Sequence, residues 1–273
     1  VPTRRLQFGT DDDEEEKSRR EYIEQEIVAS ERSYVEGLRV LVEVYEVPLR
    51  QAGIVPPETV EQLFGNVAVL YQVNRHFLDA LEGAAGQHRT GEVFLMFAPQ
   101  FEAYAQYGER FDEAAALLQK LKKSSSDFRK FIAEVKQMPE SRQLGLDSFL
   151  MRPVQRICKY PLLLRELRKV TRDEKQAADL DAAHQKIQHV MDLINNSTRS
   201  IENQKQIQQL VPRLTNYEDF AKEHGPLVTP SRRIIKEAPI GDVLRCDGAA
   251  AAVAATMMLR LCPAGCLLHR NAG

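Results

Sequence analysis

Tryptophan is absent from this sequence, and cysteine is scarce. The four cysteines, Cys158, Cys246, Cys262 and Cys266, follow no disulfide framework, which favours a reducing, cytosolic setting. Cys262 and Cys266 make a C-x3-C pair without the second pair that a structural zinc site needs. No metal and no cofactor is therefore expected. Cys158 falls among leucines and reads as a buried small hydrophobe. Long apolar runs are missing too. The stretch from Ala249 to Leu259 is too short to span a bilayer, and Arg260 and Pro263 follow it. There is no P-loop, no G-x-S-x-G and no H-E-x-x-H, and the six histidines are scattered, so a hydrolytic enzyme finds no support. Neither sign of charge is in excess. A formal net charge of −2 gives no bulk attraction for nucleic acid or an anionic membrane, so any electrostatic recognition must be local.

What is present suits a folded, charged-surfaced protein. Of the 273 residues, 43% are hydrophobic and 28% charged, enough for a real core inside a well-solvated surface. The chain starts VPTRR, without Met or a signal peptide, as a piece of a longer protein would. Residues 1–18 carry the acidic block TDDDEEEK and read as a disordered flank. From 19 to 210 helical periodicity dominates. Its breakers are Pro48, the turn Val55-Pro56-Pro57, the loop from Gly83 to Gly91, the turn Ser124-Ser125-Ser126, and the stretch from Pro139 to Gly145. Long helices with short connections predict an all-α bundle, elongated and without a fixed repeat. After Val211-Pro212, short apolar runs broken by Pro, Gly and Asp read as strands and turns. Residues 213–273 are thus expected to form a partial β-type segment, with an Ala-rich tail poorly ordered beyond Gly248.

Polar residues break the apolar stripes of these helices at informative places. In EYIEQEIVASERSYVEGLRVLVEVYE, the stripe is Ile23, Ile27, Tyr34, Leu38, Leu41, Val42 and Tyr45. Glu31 falls inside the arc of that stripe on a helical wheel. A carboxylate there is costly without a partner. Either it pairs internally with an Arg or lies at the bundle's exposed end, or this face leaves the core and meets another protein. In FLMRPVQRICKYPLLLREL, two prolines interrupt a helical pattern. Phe149, Leu150, Val154, Ile157, Tyr160, Leu164 and Leu167 share the core side. Ser148, Arg152, Gln155, Lys159, Leu162, Leu163 and Glu166 share the other. Leucines among Gln and Lys describe either an interface patch or a basic solvated face with stray leucines. Asn195 lies about 90° from the stripe of its own helix, formed by Ile187, Val190, Met191, Ile194 and Ile201, as an ordinary surface Asn would.

Two of these segments resemble one family. LDSFLMRPVQRICKYPLLLRELRK is similar to the most characteristic helix of the Dbl homology (DH) domain, the exchange module of Rho-family guanine nucleotide exchange factors. Ser30-Glu31-Arg32-Ser33-Tyr34-Val35-Glu36-Gly37-Leu38 resembles that family's opening helix. The resemblance covers residues 20–208 and implies an elongated DH-type bundle that accelerates GDP release without covalent chemistry. It implies that Glu31 binds the first switch of a Rho-type or Rac-type GTPase. Lys159 and Asn195, with Gln155 beside them, would bind the second switch. Arg152, Leu162 and Leu163 would complete the docking face, and Met151 would bear on selectivity. Glu31, Lys159 and Asn195 are expected to line one exposed groove. The segment from Leu227 to Asp242 resembles the entry of a pleckstrin homology (PH) domain, cut short, with at most a weak phosphoinositide contact. The implied setting is cytoplasmic, with recruitment to membrane or cytoskeleton. Two other classes compete: a non-catalytic helical adaptor, and a calmodulin-type target or membrane-surface module built on the basic helix from Arg152 to Arg172.

Overall fold

The computed structural model describes residues 10–84, 86–213 and 217–228, together with the short pairs 261–262 and 265–266. It divides into two compact units, Val1–Ile194 and Asn195–Gly273. Among its described residues the regular structure of the first unit is all helical. Its elements are α1 (Thr10–Arg39), a π-helical turn (Val40–Glu46), α2 (Val47–Ala52), α3 (Pro57–Phe64), α4 (Val67–Gly83), α5 (Thr90–Phe97), α6 (Ala103–Ser124), α7 (Ser126–Gln137) and α8 (Leu146–Lys169). Helix α9 (Glu174–Leu210) begins in this unit, and the division falls within it. At 1.5 Å per residue, its 37 residues extend about 55 Å. No β-strand occurs among the described residues of 20–208, as the periodicity predicts.

Three local expectations need correction. The acidic block, expected to be disordered, is helical from Thr10 onward and forms the first turns of α1. Carboxylates at a helix N-terminus complement the dipole there. Pro48 does not break the first helix. A π turn immediately precedes it, with the Val47 N–H donating to the Val42 carbonyl, and this wider turn makes room for a ring that lacks a donor. The helix ends instead at Gly53, whose φ of 62° suits a residue without a Cβ. Third, the texture change after Pro212 leads first to another helix, α10 (Tyr217–His224). The Leu227 amide donates to the Tyr217 hydroxyl at 3.3 Å, and Leu227 is buried. Leu261–Cys262 (β1) and Gly265–Cys266 (β2) pair antiparallel, with Leu261 opposite Cys266. The strands expected between 229 and 243, and most of the Ala-rich tail, lie outside the described residues.

The core of the first unit explains how α8 is held. Phe77 packs against Phe94, Phe97, Phe101 and Tyr160, with ring centroids 4.9–5.9 Å apart. Tyr160 stacks on Phe101 at 5.3 Å. Helix α8 packs on α1 and α6, and α1 also packs on α4. Phe149, Leu150, Ile157, Tyr160, Leu164 and Leu167 are all buried, as the wheel predicts. Both prolines are buried inside α8, which runs on unbroken. Each removes one helical donor, so tertiary packing must hold these turns. The Tyr107 hydroxyl from α6 donates to the Leu150 carbonyl at 2.8 Å, one tie beside Pro153.

Candidate functional site

The seam between α1 and α8 carries the residues singled out in the sequence. The two helices run antiparallel. Arg152 reaches the Ser33 carbonyl at 3.5 Å, and Arg156 donates to the Ser30 hydroxyl at 3.1 Å. Farther along, Arg19 lies within electrostatic reach of Glu166. Gly37 leaves room for the Arg152 guanidinium, which a Cβ there would displace. That guanidinium also lies 4.8 Å from the Phe149 ring centroid, a cation–π contact that flattens Arg152 against the seam.

Glu31 is not on an exposed groove. It is fully buried, and its Oε2 accepts from Arg156 Nε at 3.0 Å, from Arg156 Nη2 at 2.6 Å and from the Tyr160 hydroxyl at 2.9 Å. Arg156 is 4% exposed. The internal ion pair therefore describes Glu31, and the expected direct contact with a GTPase is withdrawn. The network continues inward. The Tyr160 and Tyr104 hydroxyls both lie within hydrogen-bond distance of Asn74 Oδ1, at 3.1 and 3.0 Å, and Tyr104 reaches Tyr34 at 3.0 Å. Asn74 itself donates to the Leu70 carbonyl at 2.7 Å. Four helices, α1, α4, α6 and α8, thus contribute to one buried polar cluster. Burial pushes the Glu31 carboxyl above its ordinary range, and Arg156 and Tyr160 pull against that. Burial, then the charge of Glu31, pushes the Tyr160 phenol well up, so it remains a donor.

The outward face of α8 is as expected, with one addition. Met151, Gln155, Lys159 and Leu162 are exposed, while Arg152 and Leu163 are partly covered. Leu162 is 51% exposed, too much for a residue that only fills the core. Cys158, expected to be buried, is exposed. It follows Gln155 by three residues and precedes Leu162 by four, so it belongs to the same outer stripe. Asn195 is exposed in the second unit. The structure brings Arg152, Gln155, Lys159, Leu162, Leu163 and Met151 onto one helix, and Glu31 lies beneath them.

One acidic residue was missed. Ser30, Ser33 and Gly37 line the α8 side of α1, and Glu26 lies one turn before Ser30 on the same strip. On α8 the matching strip is Arg152, Arg156, Lys159 and Leu163. The observed register carries Glu26 and Lys159 to opposite sides of the same seam. Glu26 is exposed, and neither it nor Lys159 forms an ion pair among the described residues. The signal was available in the sequence. Glu26 adjoins the apolar stripe at Ile27 without lying on its centre line. An accessible seam residue should stand there.

The exposed stripe offers a cation, an amide and apolar surface for protein docking. Among the described residues no cluster of three or more His, Cys, Asp or Glu is placed to hold a metal ion. No described helix is long and apolar enough to cross a membrane.

Comparison with known proteins assigns the bundle. The RhoGEF domain family matches residues 23–195. The chain is 32% identical over 200 residues to human Rho guanine nucleotide exchange factor 4, covering 71% of this chain and 29% of that protein. It is 31% identical over 212 residues to the Myosin-M heavy chain of Dictyostelium discoideum, covering 75% of this chain and 12% of the relative. The chain thus spans under a third of the length of these relatives. Among solved structures it is similar to the Vav1 exchange factor, with a TM-score of 0.67, 26% identity, and coverage of 77% of this chain and 57% of the other. The DH/PH domains of PDZ-RhoGEF, solved with GTP-gamma-S-activated RhoA, share the fold at a TM-score of 0.71 and 21% identity, over 82% of this chain and 67% of that one. The helical bundle is of the DH type, and this chain belongs to the RhoGEF domain family.

Proposed function

We propose that this chain is a guanine nucleotide exchange module for a Rho-family small GTPase, acting in the cytoplasm. The observation that carries this is the outward stripe of α8, where Gln155 and Lys159 flank a half-exposed Leu162 on a RhoGEF domain. An apolar side chain set between an amide and a cation is the mixed texture of an interface centre.

Exchange needs no covalent step. A GTPase holds its nucleotide through Mg²⁺ and ordered switch loops. A partner that binds the nucleotide-free arrangement better shifts the population towards it. Lys159, with Gln155, draws the second switch into an arrangement that disfavours Mg²⁺ and phosphate, and Asn195 assists. Glu26, across the seam, engages the first switch in the role first expected of Glu31. Leu162 and Leu163 contribute apolar burial, and Arg152 and Met151 border the contact. GDP leaves and GTP enters from the cellular pool. The direction comes from nucleotide concentrations. A PH-like segment after Pro212 would add a weak phosphoinositide contact beside this activity.

The test is fluorescent-GDP release from a panel of Rho-type and Rac-type GTPases, alongside binding to their nucleotide-free forms. Acceleration of release from at least one member is expected. Tight binding with no acceleration would identify an adaptor instead. Strong binding to phosphoinositide vesicles by the helical region, with no GTPase binding, would favour a membrane-surface role.

A further inference from the structure

We infer that the buried cluster Glu31–Arg156–Tyr160 is a positioning device for the exchange face, and that Arg156 and Tyr160 act on exchange through the register of α1 against α8. The inference rests on the exchange reading above and adds residues that touch no partner.

Several observations point this way. Arg156 and Tyr160 each directly follow a residue of the outer stripe, Gln155 and Lys159. The inner pair anchors to α1 through Glu31 and Ser30. The outer pair projects from the same turns. A fixed orientation inside therefore fixes the directions of Gln155 and Lys159 outside. Arg156 is planar and reaches Glu31 Oε2 through both Nε and Nη2, so it resists sliding or rotation of α8 along α1. Its guanidinium also lies over the Tyr160 and Tyr34 rings, at 4.8 and 5.7 Å. The helix needs such a tie here, because Pro153 and Pro161 each remove a backbone hydrogen bond on either side of it.

The cluster is also poorly built for stability alone. All its bonds to Glu31 converge on Oε2, and the buried Oε1 has no hydrogen-bond partner among the described residues. Buried ion pairs of this kind are often matched or exceeded in stability by apolar residues of similar volume. A cluster that served only to hold the bundle together could be replaced that way without functional loss. A positioning cluster could not.

The decisive variant is Glu31→Leu with Arg156→Met in the full chain. Melting at or above the parental temperature is expected. The rate of GDP release at saturating GTPase should fall at least tenfold, with a higher half-saturating GTPase concentration. A readout without any GTPase comes from spin labels on Ala29→Cys and Gln155→Cys, in a background with all four native cysteines replaced by serine. The parent should give one narrow distance distribution between α1 and α8, and the apolar pair a broadened one. Parental exchange, or a parental distance distribution, in a normally melting double variant would overturn the inference. Should the double variant not fold, Tyr160→Phe decides, since it keeps the ring and removes only the hydroxyl. About threefold slower exchange is expected, measured well below the melting temperature of both proteins, and an unchanged rate overturns the inference. If the parent itself releases no GDP from any GTPase tested, the exchange reading fails. The spin-label distances still decide whether the cluster sets the register.

Discussion

Arg156 and Lys159 stand within one turn of α8, and the protein uses them in opposite ways. Arg156 is enclosed, with its charge matched by Glu31 and its hydrogen bonds directed to named partners. Lys159 is exposed and forms no ion pair among the described residues. The same contrast holds on α1, where Glu31 is buried and Glu26, five residues earlier, is exposed. A charge in the first environment concerns folding and geometry. A charge in the second is available to a partner.

The sharpest way to break this comparison is Glu31→Ala. Removing one partner strands a buried guanidinium, and such a loss costs about 3–5 kcal/mol. Chemical denaturation should show a large fall in midpoint. A variant that unfolds like the parent would mean that Arg156 finds another partner and that the enclosed charge is not structural. Next comes Lys159→Ala, where the effects should reverse. Stability should stay within about 0.5 kcal/mol, as for a surface change. Exchange should fall by about 30- to 1,000-fold, the equivalent of losing roughly 2–4 kcal/mol of contact made in the nucleotide-free complex. Glu26→Ala should behave like Lys159→Ala and unlike Glu31→Ala, read by GDP release beside thermal melting. If Glu26→Ala exchanges at the parental rate, the seam register has misled us about which acid faces the partner.

A control away from both regions should give the smallest effect. The Ser125 hydroxyl accepts from the Phe128 amide at 3.2 Å and caps α7. Ser125→Ala should cost about 1 kcal/mol of stability. Exchange should not change, because α7 does not carry the stripe. A drop in exchange from this change would show that stability alone limits the assay, and the contrast between Arg156 and Lys159 would lose its meaning.

Much of this was legible from residue order. The 3.6-residue rhythm found the helices between 20 and 208 and the inward side of α8. The run Arg152-Pro153-Val154-Gln155-Arg156, followed by Lys159-Tyr160, pointed to the family that the comparisons then established. The wheel also marked Glu31 as anomalous. It misled on accessibility for a physical reason. The centre of an apolar stripe is the direction of the core, so a polar residue there is the deepest one. It survives by finding a partner inside. Cys158 was misread by the opposite route, from its neighbours' composition, although its spacing from Gln155 and Leu162 placed it outside.

The sequence by itself determined that the span from 20 to 208 is helical, which side of α8 faces inward, and which family the bundle belongs to. Those properties depend on local periodicity and on residues close in the chain. Only the tertiary structure decided that Glu31 meets an arginine 125 residues away and that Glu26 shares a seam with Lys159. A helical wheel records direction around one axis and carries no information about the neighbouring helix or its register. That register is set where α1 and α8 pack, through Gly37 under Arg152 and Ser30 beside Arg156. It alone determines which charges are sealed in and which remain for a partner.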